Sequence, residues 1–149
     1  ESAIVFGDAQ SMLISDAEAD VLLGFEPSET LRALGKCNPD TTVITNMAPV
    51  PPFTVSIGKG IYPDLDQLKG LIAAKTNRLV AFDGLTLAKE AGNPMALNIV
   101  LIGALIQSGV LPMTPEQVKE AIRTKTKPAF VDINLRAFEL GFAAASQSG

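Results

Sequence analysis

The chain has 149 residues, of which 47% are hydrophobic and 19% are charged, and its formal net charge is −4. This length is typical of one compact domain, and the acidic balance argues against nucleic-acid binding, which requires a basic stripe. The chain contains no His and only one Cys, which excludes Ser-His-Asp and Cys-His catalytic centres, the usual His-built zinc sites and a four-cysteine iron–sulfur cluster. A single Cys and the lack of a secretory signal pattern predict a cytoplasmic protein.

The first third of the chain alternates between strand and helix patterns. Residues 2–6 and 11–14 are strand-like and flank a Gly-Asp turn, so we expect an antiparallel hairpin at the edge of a sheet. The apolar run at residues 20–25 is typical of a strand buried on both faces. Residues 26–34 are predicted to form a helix with Pro27 at its first position.

The middle of the chain continues the alternation. Strands are predicted at residues 41–46, 54–57 and 78–82, and helices from Asp64 to Ile72 and from Leu85 to Ala91. Asp64 is expected to cap its helix. The proline-rich residues 48–53 cannot form a helix or a central strand, and they serve either as a stiff crossover or as a docking arm.

The final third is predicted to be helical. Residues 95–105 follow a Gly-Asn-Pro break and are apolar except at Asn98, so we expect a buried helix with one amide in a dry site. This run is too short to span a membrane. Thr114 is predicted to cap a further helix, and a last helix is expected over residues 128–145.

Alternating strands and helices predict an α/β fold, specifically a Rossmann-like three-layer sandwich with a mostly parallel sheet and the N-terminal antiparallel edge hairpin. We interpret residues 1–149 as a single domain. The usual opening strand, Gly-rich turn and helix of such a domain are not recognised, so we expect this domain to lack its first strand–helix unit.

Ligands of open parallel sheets meet the loops at the carboxyl ends of the strands. Those positions carry Glu26, Asn46 with Met47, and Asp83, which are candidates for contact with a ligand or partner. The alternative for Glu26 is a favourable interaction with the helix dipole, and the alternative for Asp83 is a turn or cap.

Three further positions have both a functional and a structural interpretation. Asn93 and Asn98 are candidate contacts, with helix capping and a hydrogen bond to a loop backbone as their alternatives. Cys37 is predicted to lie in a polar loop without a recognisable base and is interpreted as an incidental thiol. Lys59 and Lys75 are candidates for attracting phosphates, although scattered lysines usually belong to a solvated surface.

Several segments, taken in order, resemble the gamma-type domain of the 2-oxoacid:ferredoxin oxidoreductases. They are residues 19–27, 49–52, 92–94, 98–105 and 131–142. The likeness covers nearly the whole chain and is closest to the beta subunit of the indolepyruvate:ferredoxin oxidoreductases. The chain departs from the family at its front, because the family's Gly-Gly-Gln-Gly turn and the following Met-, Arg- and Gly-rich segment are not present.

The resemblance implies a subunit with no complete active site of its own. Enzymes of that family decarboxylate a 2-oxoacid on thiamine diphosphate, pass electrons through iron–sulfur clusters to ferredoxin and transfer the acyl group to coenzyme A. The implied partners are therefore catalytic subunits that carry these cofactors, with ferredoxin reached through the complex. The substrate implied is an aryl pyruvate such as indolepyruvate, or a pyruvate-like acid.

Two other classes of function remain open from the residues alone. The chain could be a stand-alone nucleotide- or metabolite-binding module, which should contain a closed pocket with converging polar groups. It could also be an oligomerisation domain. A subunit should instead expose an unusually large apolar surface, and the sequence leaves open whether the isolated chain forms a homodimer.

Overall fold

The computed structural model describes residues 2–8, 11–48 and 64–147. Its strands are β1 (Ala19–Gly24), β2 (Cys37–Asn46) and β3 (Arg78–Phe82). Its α-helices are α1 (Pro27–Ala33), α2 (Leu65–Ala73), α3 (Gly84–Ala91), α4 (Leu97–Gln107), α5 (Pro115–Lys125) and α6 (Val131–Gln147). Short 3₁₀ turns at Pro94–Ala96 and Pro128–Phe130 lead into α4 and α6.

The three strands form a parallel sheet in the order β1-β2-β3. Successive side chains of a strand point to opposite faces. On β2, Val43 packs in a cluster with Ile72 of α2, whereas Ile44 packs against Leu101 of α4. Both β2 side chains are fully buried, so helices cover the central strand on both faces. The prediction of an α/β three-layer sandwich with a parallel sheet is therefore confirmed.

The antiparallel edge hairpin predicted at residues 2–6 and 11–14 is not found in the described residues, and this part of the fold prediction is corrected. Neither segment contains a strand, and the described sheet is entirely parallel. Four large apolar side chains of this N-terminal segment are 58–85% exposed: Ile4, Phe6, Met12 and Leu13. A two-stranded hairpin is only marginally stable without a surface to pack against, which explains why the strand-like pattern is insufficient here.

Most of the remaining elements lie close to their predicted positions. Strand β3 coincides with the prediction, whereas β2 begins at Cys37 rather than at residue 41. Asp64 caps α2, as predicted, by accepting hydrogen bonds from the backbone N–H groups of residues 66 and 67. The connector at residues 49–53, the strand predicted at 54–57 and Lys59 lie outside the described residues.

Two glycines set the contact between α4 and α6. A Cβ atom on Gly141 would overlap the carbonyl oxygen of Val100, and one on Gly103 would overlap the carbonyl oxygen of Phe138. The backbones of the two helices therefore approach as closely as glycine allows.

The two helices also run in the same direction. Ala96, just before α4, shares a hydrophobic cluster with Ile133 in the first turn of α6, whereas Ala104 and Ala145 meet in a second cluster. The N-terminal ends of α4 and α6 consequently lie at the same end of the molecule. Among the described helices, none has both the length and the apolar character needed to cross a membrane.

Candidate functional site

Asn46, at the carboxyl end of the central strand, joins the ends of all three strands. Its side chain is fully buried. The Oδ1 atom accepts hydrogen bonds from the backbone N–H groups of Ala48 and Gly84, each at 3.0 Å. The Nδ2 atom donates to the carbonyl oxygen of Phe25 at 2.9 Å. The amide is thus committed to the protein's own backbone, and its main role is to hold the strand-end loops together.

The two carboxylates predicted at the strand ends both cap helices. Oε2 of Glu26 accepts a hydrogen bond from the backbone N–H of Glu29 at 2.9 Å, at the start of α1. Oδ1 of Asp83 accepts from the backbone N–H of Thr86 at 2.9 Å, and its Oδ2 accepts from the Thr86 hydroxyl at 2.7 Å. Glu26 therefore interacts with the start of α1 and Asp83 caps α3, which are the structural roles that the sequence offered as alternatives to ligand contact.

A pair of threonines beneath the same loops was not identified from the sequence. The hydroxyl oxygens of Thr30 on α1 and Thr45 on β2 lie 2.8 Å apart and are buried. A Cβ on Gly24 would overlap the Thr30 hydroxyl, so glycine at the end of β1 lets α1 approach the sheet. A threonine inside a predicted helix gives little signal of a long-range contact, because the pairing depends on the tertiary fold.

Asn93 and Asn98 lie at a different place, in a cleft beside the first turns of α4 and α6. The cleft has a volume of about 300 Å³ and includes Lys127, Phe130 and Asn134 in its lining. Asn93 also caps the 3₁₀ turn before α4, because its Oδ1 accepts from the backbone N–H of Met95 at 2.9 Å. Sequence analysis did not single out Lys127, Phe130 or Asn134, since only the packing of α6 beside α4 brings them to this cleft.

The expectation that Asn98 occupies a dry site is wrong. Asn98 is exposed, whereas Val100, Leu101 and Ala104 of the same helix are fully buried. Helix α4 packs against α3, α5, α6 and strand β2, and every residue of it other than Asn98 is buried or half-buried. The apolar sequence therefore correctly indicated a largely buried helix, but Asn98 itself lies in the first turn, which the cleft leaves open.

Cys37 is the first residue of β2 and is completely buried, so its predicted place in a polar loop is corrected. Burial raises the pKa of the thiol above its ordinary value of 9.0, although nearby Lys75 and a hydrogen bond with the Thr41 side chain act in the opposite direction. A neutral, inaccessible thiol is a poor nucleophile. This environment agrees with the interpretation of Cys37 as an incidental thiol.

The five candidate residues therefore form two separate groups. Glu26, Asn46 and Asp83 organise the strand ends, while Asn93 and Asn98 line the cleft. Among the described residues, no group of three or more His, Cys, Asp or Glu side chains is arranged to hold a metal ion. The fold and these sites define an α/β domain whose polar residues mainly support loops and helix ends.

Comparison with known proteins identifies the family. Residues 1–144 match the pyruvate ferredoxin/flavodoxin oxidoreductase family. Since the match covers nearly the entire chain, the protein belongs to this family, in agreement with the resemblance noted in the sequence.

Similar proteins include archaeal indolepyruvate oxidoreductase subunits. The chain is 43% identical to "Indolepyruvate oxidoreductase subunit IorB" of Thermococcus kodakarensis over 141 residues, which cover 94% of this chain and 70% of that protein. It is 42% identical to the protein of the same name from Pyrococcus horikoshii over 144 residues, covering 95% of this chain and 71% of that one.

A solved structure supports the fold independently. The gamma subunit of a keto/oxoacid ferredoxin oxidoreductase from Geobacter sulfurreducens superposes with a TM-score of 0.62 at 22% sequence identity. The similarity covers 91% of this chain and 69% of that subunit. At this level of identity the comparison concerns the fold alone.

Proposed function

We propose that this chain is an accessory subunit of a thiamine-diphosphate-dependent 2-oxoacid:ferredoxin oxidoreductase. The complex converts a 2-oxoacid, coenzyme A and oxidised ferredoxin to acyl-CoA, CO2 and reduced ferredoxin. The substrate class is the aryl pyruvates, such as indolepyruvate, with pyruvate-like acids as the alternative. The substrate assignment is supported by the names of the relatives that are 42–43% identical to the chain over more than nine-tenths of its length.

The exposed apolar side chains of the N-terminal segment are the structural observation that carries the assignment to a subunit. Ile4, Met12 and Leu13 are each more than 70% exposed, and Phe6 is 58% exposed. Exposed apolar groups that cluster in one segment are typical of surfaces that meet another protein.

The cofactors of the reaction fit this chain poorly. An iron–sulfur cluster requires several thiolates, whereas the chain has a single Cys, which is buried. The Mg²⁺ that accompanies a bound diphosphate is held by carboxylate oxygens, and the carboxylates at the described strand ends already cap helices. We therefore assign thiamine diphosphate and the clusters to partner subunits, and the chain's own role is to position and cover them.

We further propose that the strand-end loops face the catalytic partner and contribute to the entrance used by coenzyme A or substrate. Asn46 fixes the relative positions of three backbone groups that follow the strands, in Phe25, Ala48 and Gly84. Backbone groups held in this way are suited to docking because they lose little conformational entropy on binding. Ferredoxin would be reached through the partner, and the complex would work in the cytoplasm.

The test is anaerobic affinity purification of the chain from its native host, followed by mass spectrometry and cofactor analysis of the associated proteins. The expected result is a large Cys-rich partner that contains thiamine diphosphate and iron–sulfur clusters. The purified complex should then reduce ferredoxin in the presence of coenzyme A and indolepyruvate, faster than with pyruvate.

Two results would argue against the proposal. Recovery of the chain alone with a small molecule bound would favour a metabolite-binding module, and recovery as a homo-oligomer without a partner would favour an oligomerisation domain. Recovery of the complex with a preference for a different 2-oxoacid would retain the subunit assignment and replace the substrate.

A further inference from the structure

The cleft beside the first turns of α4 and α6 combines exposed apolar side chains with a positive charge. Met95 is 82% exposed and Phe130 is 43% exposed, and both line the cleft. Lys127 lines it as well, and no lining residue is acidic. None of the ion pairs formed by the described residues involves Lys127. The cleft therefore presents an apolar surface with one uncompensated cation, on a chain whose net charge is −4.

The backbone adds to this positive character. Helices α4 and α6 begin at the same end of the molecule, and the N-terminal end of a helix carries a partial positive charge. The 3₁₀ turn at Pro128–Phe130, which leads into α6, has no side chain capping its start. In contrast, an acidic or hydroxyl side chain caps each of α1, α2, α3 and α5. Asp132 lies in the first turn of α6 but is not part of the cleft lining.

The polar lining matches a peptide better than a metabolite. The side-chain amides of Asn98 and Asn134 each offer donors and an acceptor, which are the groups needed to pair with an exposed peptide backbone. The volume of about 300 Å³ is at the lower limit of pockets that enclose small ligands. A space of this size is better suited to one apolar side chain of a bound segment.

We propose that this cleft binds a segment of the catalytic partner subunit in which a large apolar side chain lies next to an Asp or Glu. The apolar side chain packs against Met95 and Phe130, and the carboxylate pairs with Lys127 and with the uncapped start of the turn that leads into α6. Charge complementarity selects this occupant over symmetric pairing with the same cleft of a second copy, because the two lysines would face each other without a carboxylate. The inference rests on the proposed function, since it requires that a catalytic partner exists.

The test compares two double variants of equal charge change in binding to the large subunit recovered by affinity purification. The first is Met95→Asp with Lys127→Glu, in the cleft. The matched control is Leu71→Asp with Lys69→Glu on α2, where both side chains are also exposed and Leu71 is 56% exposed. Because all four positions are exposed, neither variant should unfold, which circular dichroism and thermal melting will check.

We expect the cleft variant to bind the large subunit at least about tenfold more weakly, as truncated interface anchors commonly do, and the control variant to bind within about threefold of wild type. Binding by wild type should also weaken as KCl is raised, because salt screens the ion pair. Equal binding by both variants, or equal loss in both, would overturn the cleft assignment while leaving the proposed function intact. Failure of the wild type to bind any large subunit would overturn both proposals.

Discussion

At the scale of single residues, Asn46 has the clearest structural role. We expect Asn46→Ala to lower the free energy of unfolding by about 2 to 4 kcal/mol, because two buried N–H groups and one carbonyl oxygen lose their partner. Urea unfolding monitored by circular dichroism will measure the change. An unchanged m-value would indicate that the loss concerns the native state and not the compactness of the unfolded chain.

Asn98 provides a matched control for that experiment. Its side chain is exposed at the cleft, so Asn98→Ala should change stability by no more than about 0.5 kcal/mol. If Asn98→Ala were as destabilising as Asn46→Ala, the assignment of Asn46 as the residue that joins the strand ends would have to be abandoned.

The buried thiol of Cys37 should make the free energy of unfolding depend on pH. Since burial raises the pKa of the thiol, the unfolded chain loses this proton at a lower pH than the folded chain. The folded state then binds more protons, and its stability falls as pH rises above the ordinary thiol pKa of 9.0 and continues to fall until the folded-state pKa is passed. Urea unfolding of wild type and Cys37→Ala between about pH 7 and pH 10.5 will isolate this effect.

The thiol should also be protected from reagents. We expect a disulfide reagent such as 5,5′-dithiobis-(2-nitrobenzoic acid) to label Cys37 slowly in the folded protein and rapidly in urea, because the side chain is fully buried. Rapid labelling of the folded protein, or an identical pH profile in Cys37→Ala, would contradict the buried neutral thiol.

At the scale of elements, the contact between α4 and α6 depends on glycine. In Gly141→Ala the new Cβ would overlap the carbonyl oxygen of Val100, and the helices must separate, so we expect a loss of about 2 to 3 kcal/mol. Gly70→Ala is the matched control, because Gly70 is an exposed residue of α2 and no atom of the described residues lies within 4 Å of the added Cβ. There the change should stabilise the protein by about 0.5 to 1 kcal/mol. Thermal unfolding of both variants will decide, and a loss in each would contradict the packing argument.

The same elements explain which parts of the fold could be predicted. The starts of helices could be predicted because the residues that cap them are neighbours in sequence. At the start of α5, for example, Thr114 and Gln117 form a capping box around Pro115. The close approach of Gly141 to Val100 joins residues 41 positions apart, and no local pattern indicates it. For the same reason Asn98 was misplaced, since which side of α4 is covered depends on where α6 packs.

Residues of the candidate sites could likewise be predicted where the signal is local in sequence, and were missed where it depends on tertiary packing. The positions of Glu26 and Asp83 near strand ends could be predicted because each follows an apolar, strand-like run within one or two residues and precedes a helix. Lys127 and Asn134 of the cleft were missed because they lie about 30 residues beyond Asn98 and reach it only through the packing of α4 against α6.

At the scale of the whole molecule, the described N-terminal segment exposes several large apolar side chains. Ile4, Met12 and Leu13 are each exposed by more than 70%. Such a surface on an isolated chain promotes association with other molecules, whereas in the proposed complex the catalytic partner would cover it. The exposed segment should therefore also affect the behaviour of the isolated chain, which can be measured without the partner.

We expect the isolated chain to self-associate in a concentration-dependent manner, and Leu13→Lys to shift it toward the monomer with little change in melting temperature. Leu13 is 85% exposed, so the substitution removes apolar contact area between chains without disturbing a core. Leu71→Lys on α2 is the control, because Leu71 is also exposed but lies apart from this segment in the sequence. Sedimentation velocity over a range of protein concentrations will distinguish the variants. If Leu71→Lys dissociates the chain and Leu13→Lys does not, the association surface lies on the helical layer, and the N-terminal segment no longer supports the proposed subunit contact.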